Sequence, residues 1–155
     1  MIDAKEIEKR AEELFGSGLY CAESVLLAVA EHAGIDSQLI PKIATGFCGG
    51  MSRTRGVCGA VNGGVMALGL LFGRNSPELA VDNTYGKVQQ FLAIFQERYG
   101  SINCFDLIGV DLGTEEGREQ FKQRGIRSTC QGFTGGAARM VAELIRGEAT
   151  DETGS

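Results

Sequence analysis

The sequence of 155 residues has no tryptophan, two prolines and a single histidine. Any Ser-His-Asp or Cys-His chemistry would therefore rest on His32 alone. His32 falls at the end of a predicted helix that Cys21 opens, roughly 16 Å away at about 1.5 Å per residue. Positive charge is favoured at a helix C-terminus, so a solvent-facing, helix-ending histidine is expected. Basic residues are also in deficit. The chain has 15 Lys and Arg against 20 Asp and Glu, a formal charge of -5, and a pI of about 4.9. That balance excludes the basic face of a nucleic-acid binder and makes anionic membranes poor partners.

Long hydrophobic runs are missing as well. The uncharged stretch over 56–73 is shorter than the ~20 mainly apolar residues of a membrane span. Gly59, Asn62, Gly63, Gly64 and Gly69 dilute it further. It reads as a buried central helix, with no stable membrane span. The segment "MIDAKEIEKRAEELF" is charged throughout and lacks the apolar core of a signal peptide, so a cytoplasmic location is expected. No Cys-x-x-Cys occurs, which excludes a thioredoxin-type motif, a zinc ribbon and a haem attachment box. Neither "GFCGGMSR" nor "QGFTGGAAR" ends in the Gly-Lys-Ser/Thr of a P-loop, so both read as turns or close-packing sites.

Strand signals are weak, and helical periodicity covers the chain. Helices are predicted over 3–15 with Asp3 as cap, 21–33, 37–45, 57–71, 102–108, 114–124 and 129–146. A further helix opens at Ser76-Pro77 and closes at Gly100. Its seam is Val81, Tyr85, Val88, Leu92, Phe95 and Tyr99, which step by four and three residues. The expected fold class is all-α: one compact domain over 1–147, a bundle of four to five main helices plus short ones, with a frayed tail over 148–155.

The five cysteines and 23 glycines are abundant. In a reducing cytosol, cysteines serve as metal ligands, catalytic thiols or plain core. Cys21, Cys58, Cys104 and Cys130 all fall at predicted helix N-termini, Cys104 with Ser101 as its cap. There the positive end of the helix dipole and unpaired N–H groups favour thiolate over thiol. Cys48 lies apart in a loop. Arg53 and Arg55 add positive charge near Cys58, which makes it the expected attacking thiolate, with Cys104 or Cys130 as resolving partner. Gly59 and Gly63 form a smooth stripe with Ala67. They permit close approach of a neighbouring helix, or of a ligand or cofactor beside Cys58.

The chain resembles the C_GCAxxG_C_C family of redox-active proteins. Cys21 matches the first position, Cys58-Gly59-Ala60-Val61-Asn62-Gly63 the short motif, and Cys104 and Cys130 the last two. The family label spells GCAxxG, whereas this chain reads CGAxxG. The resemblance implies redox function with those four cysteines as the functional set, and Cys48 outside it. It also implies kinship with helical modules of multidomain cytochromes for which iron–sulfur binding is suggested.

The leading expectation is thus a thiol-based redox protein, an oxidoreductase by dithiol–disulfide exchange or by electron transfer. Its partner would be a redox protein or a small-molecule oxidant. The alternative is a metal site, in which Cys21, Cys58, Cys104 and Cys130 hold zinc or an iron–sulfur cluster. A third class is a non-catalytic helical adaptor whose cysteines only pack. Smooth helical faces are also compatible with a homodimer.

Overall fold

In the computed structural model of the protein, residues 3–153 are described, the side chains of 148–153 excepted. Among them are eight helices and one 3-10 helix, and no strand. The order is α1 (Ala4–Gly16), α2 (Cys21–His32), the 3-10 helix (Lys42–Phe47), α3 (Cys48–Arg53), α4 (Gly59–Phe72), α5 (Asp82–Tyr99), α6 (Cys104–Ile108), α7 (Glu115–Gln123) and α8 (Ile126–Thr153). The all-α class agrees with the periodicity. The expectation of a frayed tail lies outside the described side chains.

Asp3 caps α1, its carboxylate accepting from the Lys5 N–H at 2.9 Å. Ile7, Ala11 and Leu14 form the buried stripe of α1, and the helix packs along α8. The Arg10–Glu31 ion pair joins α1 to α2 at 2.7 Å. An exposed pair contributes at most about 1 kcal/mol, so burial of the apolar stripe dominates this packing.

Helices α2 and α4 approach closely because of Gly63. A Cβ there would lie 2.7 Å from the Ala22 carbonyl oxygen and 2.9 Å from its Cα. Gly64 makes the same room for the ring of Phe91. Each glycine costs its helix up to about 1 kcal/mol. Burying one side chain such as Phe91 returns roughly 1.5–3 kcal/mol. The space beside Gly63 is filled by α2, so the expected cofactor contact at Gly63 is replaced by helix packing.

The predicted seam of α5 holds in its C-terminal half. Phe95 is fully buried, Leu92 and Tyr99 pack against the core, and Tyr99 stands edge-on to Phe95 with ring centroids 4.7 Å apart. Phe91, outside the predicted seam, is fully buried as well. Tyr85 is 60% exposed and does not belong to the seam. The helix starts at Asp82 rather than at Ser76-Pro77. Ahead of it the chain folds round Arg74, which donates to the carbonyls of Pro77 and Leu79 at 3.1 and 3.0 Å.

The helix expected over 37–45 is replaced by the 3-10 helix. Pro41 has no N–H and disfavours the α region at the residue before it, so regular structure begins only after it. Helix α8 starts three residues earlier than expected, directly after Gly125 at φ 62°. Cys130 is therefore the fifth residue of α8, past the first turn, and its helix-start placement is corrected. Cys104 does open α6, but with Asn103 as its N-cap in place of Ser101. His32 ends α2 half-buried, its Nδ1 2.9 Å from the Ala28 carbonyl, and is not the solvent-facing residue expected.

Candidate functional site

Cys58 and Cys104 come from distant parts of the chain and are brought together by backbone pairing. Val57 and Asn103 form an isolated antiparallel bridge. It is flanked by Cys58 N–H to Ile102 O at 2.7 Å and Cys104 N–H to Gly56 O at 3.0 Å. Alternation along paired chains puts Cys58 and Cys104 on the same side of that bridge. Cys58 is the N-cap of α4. Asn62, one turn on, donates to the carbonyls of both Val57 and Phe47 at 3.2 Å. That single amide ties the start of α4 to the end of the 3-10 helix.

Helix α3 is a left-handed turn. Gly49, Gly50, Met51 and Ser52 have φ of 62°, 61°, 52° and 58°, and Arg53 follows at 68°. A non-glycine residue in this region costs about 1–2 kcal/mol. Three in a row persist only where surrounding contacts impose them. The Gly56 N–H donates to Gly50 O at 2.9 Å. The Ser52 hydroxyl donates to Gly46 O at 2.7 Å and that of Thr54 to Met51 O at 2.9 Å. The turn aims the Gly49 N–H at the sulfur of Cys21. It also seats Cys104 against Gly50, where a Cβ would collide with the Cys104 Cβ and lie 3.0 Å from its sulfur.

Gly59 has the corresponding role for Cys21. The sulfur of Cys21 occupies the space a Cβ at Gly59 would need, with the Cys48 Cα 3.1 Å from that point. The hexapeptide Cys58–Gly63 is thus a packing device: a cap, a gap for a sulfur, an amide clamp, and a gap for a helix backbone.

Cys21, Cys48, Cys58, Cys104 and Cys130 all line one cavity of about 790 Å³. All five are free thiols. Cys48 and Cys58 are buried, and the other three half-buried. The four signature cysteines share this lining, three of them (Cys21, Cys58 and Cys104) from the helix starts expected and Cys130 from further along α8, and Cys48 joins them.

The thiols differ sharply in acidity. Cys21 is brought down to about 7. The main cause is a hydrogen bond from the Cys48 thiol, and burial opposes it. The N–H groups of Gly49, Ala22 and Cys21 itself also lower it. Cys48 is pushed up, by that same hydrogen bond, by burial and by the charge on Cys21. The Glu23 and Ala22 N–H groups work the other way without reversing it. Two acceptors also face the Cys48 sulfur, Glu23 Oε1 at 3.7 Å and Ala44 O at 3.6 Å. The pair thus gives up one proton below the ordinary thiol range, with the negative charge on Cys21 and the remaining proton on Cys48.

The other three thiols are less acidic than usual. Burial, then the charge on Cys21, pushes Cys58 up, Cys104 up to about 11 and Cys130 up to about 12. This corrects the expectation that Cys58 is the acidic thiol. Its helix N–H groups do favour the thiolate, but burial outweighs them. Arg55 is turned towards Asp111 at 3.9 Å and the Phe105 ring. Among the described residues, no three His, Cys, Asp or Glu side chains meet so as to hold a metal ion. The set of Cys21, Cys58, Cys104 and Cys130 therefore does not fit a single zinc ion as it stands.

The sequence reading missed Cys48 and Glu23. Glu23 is buried. It accepts from the Tyr20 N–H at 3.0 Å and the Thr45 hydroxyl at 2.8 Å. Its signal in the sequence is that it is the one charged residue in "CAESVLLAVA", a stretch whose only other polar side chain is Ser24. For Cys48 no local signal exists, because its partner is 27 residues away in sequence.

Fold and site together define a helical protein whose thiols converge on one cavity. The chain belongs to the family described as "Putative redox-active protein (C_GCAxxG_C_C)", whose model matches residues 19–144. It is also similar to a protein of Archaeoglobus fulgidus described as uncharacterized, 30% identical over 116 residues, 69% of this chain and 77% of that one. No solved structure matches the chain. None of the described helices is long and apolar enough to cross a membrane.

Proposed function

We propose that this protein is a dithiol–disulfide exchange protein in which Cys21 attacks and Cys48 resolves. The observation that carries the reading is the placement of Cys21 and Cys48 on one cavity wall, where Cys48 and three backbone N–H groups lower the Cys21 thiol. Thiolate is the nucleophile in exchange, and a thiol with a pKa near ambient pH is the most effective attacker.

The Cys21 thiolate attacks one sulfur of a substrate disulfide, R–S–S–R. A Cys21–SR bond forms, the S–S bond breaks, and RS⁻ leaves. The negative charge on Cys21 is consumed in that step, which removes both its hold on the Cys48 proton and its repulsion of a Cys48 thiolate. Cys48 then loses its proton to the Glu23 carboxylate, 3.7 Å away, and attacks the Cys21 sulfur. A Cys21–Cys48 disulfide forms and the second RS⁻ departs. The dithiol is oxidised by two electrons and the substrate disulfide is reduced by two.

Peptide mapping after stoichiometric oxidation with hydroxyethyl disulfide tests this. The expected product is a Cys21–Cys48 bridge, and Cys21→Ser should abolish the reversible two-electron couple. Retention of the couple in Cys21→Ser overturns the assignment. Effects on stability alone across all Cys→Ser variants would favour the adaptor reading.

An iron–sulfur centre on Cys21, Cys58, Cys104 and Cys130 is the second reading. In its favour, these four line one cavity. Against it, no three of the described side chains meet so as to hold a metal ion, and burial keeps three of the thiols neutral where cluster iron needs thiolates. When bound, such a cluster would supply one-electron transfer. Anaerobic purification with near-stoichiometric iron and visible absorbance favours it over exchange.

A further inference from the structure

The thiol cavity is lined by four cations in a protein of net charge -5. They are Arg53, Arg118, Lys122 and Arg127, and no Asp or Glu shares the lining. Elsewhere several basic side chains are paired with carboxylates, Lys9 and Arg10 with Glu13, Arg55 with Asp111, and Arg139 with Glu8 and Glu143. What distinguishes the cavity cations is that four of them share one lining with no carboxylate. None of the four cavity cations forms an ion pair with a described carboxylate.

Two of the four are held in place without being neutralised. Arg118 donates from one Nη to Leu112 O at 2.9 Å. Arg127 donates to Phe15 O at 2.9 Å, and its guanidinium lies 4.8 Å over the Phe15 ring. A guanidinium has five N–H donors in a planar fork suited to carboxylates, so most of the capacity of each is unspent on these carbonyls. The Cys21 thiolate and the Glu23 carboxylate behind Cys48 do not balance four positive charges, and the excess attracts an anion of suitable size.

We infer that the cavity selects anionic, carboxylate-bearing small disulfides, their acid groups held by Arg118, Lys122 and Arg127 while the S–S bond reaches Cys21. The chemistry rests on the exchange reading above; the anion selectivity rests on the cations alone. A bare thiolate predicts the opposite order, since it repels anionic disulfides and attracts cationic ones. A preference for anions therefore reports the cations rather than the sulfur.

The test compares three disulfides of similar size: dithiodiglycolate with two negative charges, hydroxyethyl disulfide with none, and cystamine with two positive charges. Each is reduced in a single turnover by the pre-reduced full chain at low ionic strength. Rates are normalised to reduction of the same compound by dithiothreitol. Dithiodiglycolate should exceed cystamine by about tenfold or more, and ~0.5 M salt should narrow the gap as the Debye length falls to a few ångströms. Lys122→Gln, at an exposed residue with no side-chain hydrogen bond to lose, should cut the preference, and Arg118→Gln with Arg127→Gln should remove it. Arg127→Lys should keep most of it.

A wild-type order with cystamine fastest overturns the inference while leaving the exchange reading intact. If even the neutral disulfide is not reduced, the exchange reading fails. The selectivity is then decided by calorimetric binding of dithiodiglycolate against cystamine to the Cys21→Ser, Cys48→Ser double variant. Equal binding overturns it, and preferential binding of the dianion upholds it.

Discussion

The Cys48 thiol donates towards Glu23 Oε1 at 3.7 Å and Ala44 O at 3.6 Å, while Cys48 and the backbone N–H groups around Cys21 lower the Cys21 thiol. The two thiols are therefore unequal, although they belong to the same cavity, Cys21 half-buried and Cys48 buried. Backbone N–H groups stabilise charge on Cys21. The charge on Cys21, with burial, disfavours a second negative charge on Cys48.

Alkylation separates the two. Iodoacetamide should modify Cys21 with a midpoint near pH 7, matching the value of about 7 to which its neighbours bring it. Cys58, Cys104 and Cys130 should stay largely unreactive at that pH. Cys48→Ala removes the first cause of the shift. A rise of one unit would lower the thiolate fraction of Cys21 at pH 7 about fivefold. Cys48→Ser should restore part of the rate, because a hydroxyl can donate the same bond. Mass spectrometry of the modified peptides gives the site-by-site rates. An unchanged Cys21 midpoint in Cys48→Ala would show that the backbone N–H groups suffice.

The same asymmetry makes stability depend on pH. A thiol whose folded pKa is depressed adds stability that is complete above its unfolded value and lost as pH falls through the folded one. For Cys21 the window runs from 9.0 down to about 7. Cys104 and Cys130, raised to about 11 and about 12, act in the opposite sense and destabilise the fold as pH climbs above 9. Under reducing conditions the melting temperature of the wild type, measured against Cys21→Ala, should gain from pH 7 to pH 9. A flat difference across that window would mean that Cys21 titrates alike folded and unfolded.

The helical class was legible in the sequence because burial writes a 3.6-residue period directly into it, as in Ile7, Ala11 and Leu14 of α1. The gathering of the signature cysteines was legible too, since Cys21, Cys58 and Cys104 do stand at helix starts. The identity of the acidic thiol was not. Charge and helix position favour Cys58, but burial, a tertiary property, outweighs both. The Cys21–Cys48 contact depends on a left-handed turn through Met51, Ser52 and Arg53. No local preference predicts that conformation for non-glycine residues, because contacts from Gly46, Thr54 and Gly56 impose it.

Gly59→Ala tests how tightly Cys21 is seated. The added methyl would take the place of the Cys21 sulfur and press on the Cys48 Cα, and overpacking of this kind costs about 1–3 kcal/mol. Helix propensity alone predicts a gain of up to about 1 kcal/mol for the same change, so the sign decides between them. Chemical denaturation should show a loss, together with a rise in the Cys21 midpoint as its sulfur leaves the N–H groups. A more stable variant with unchanged Cys21 acidity would mean that the sulfur has room to move.

Glu23→Gln separates the structural part of Glu23 from its part in proton transfer. The glutamine oxygen can still accept from the Tyr20 N–H, so the start of α2 should survive and helical content should not change. It cannot take the Cys48 proton. In single-turnover reduction of hydroxyethyl disulfide, release of the first thiolate should proceed at the wild-type rate, because that step needs only Cys21. Release of the second should slow by at least about tenfold, the lower end of what a positioned base contributes being near a hundredfold. The Cys21 mixed disulfide should then accumulate as an adduct of fixed mass on the peptide that carries Cys21. Raising the pH should speed the second step in the variant, because hydroxide can replace the missing base. A variant that resolves the adduct at the wild-type rate would leave Glu23 with the Tyr20 and Thr45 hydrogen bonds alone, and the proton of Cys48 would have to leave by another path.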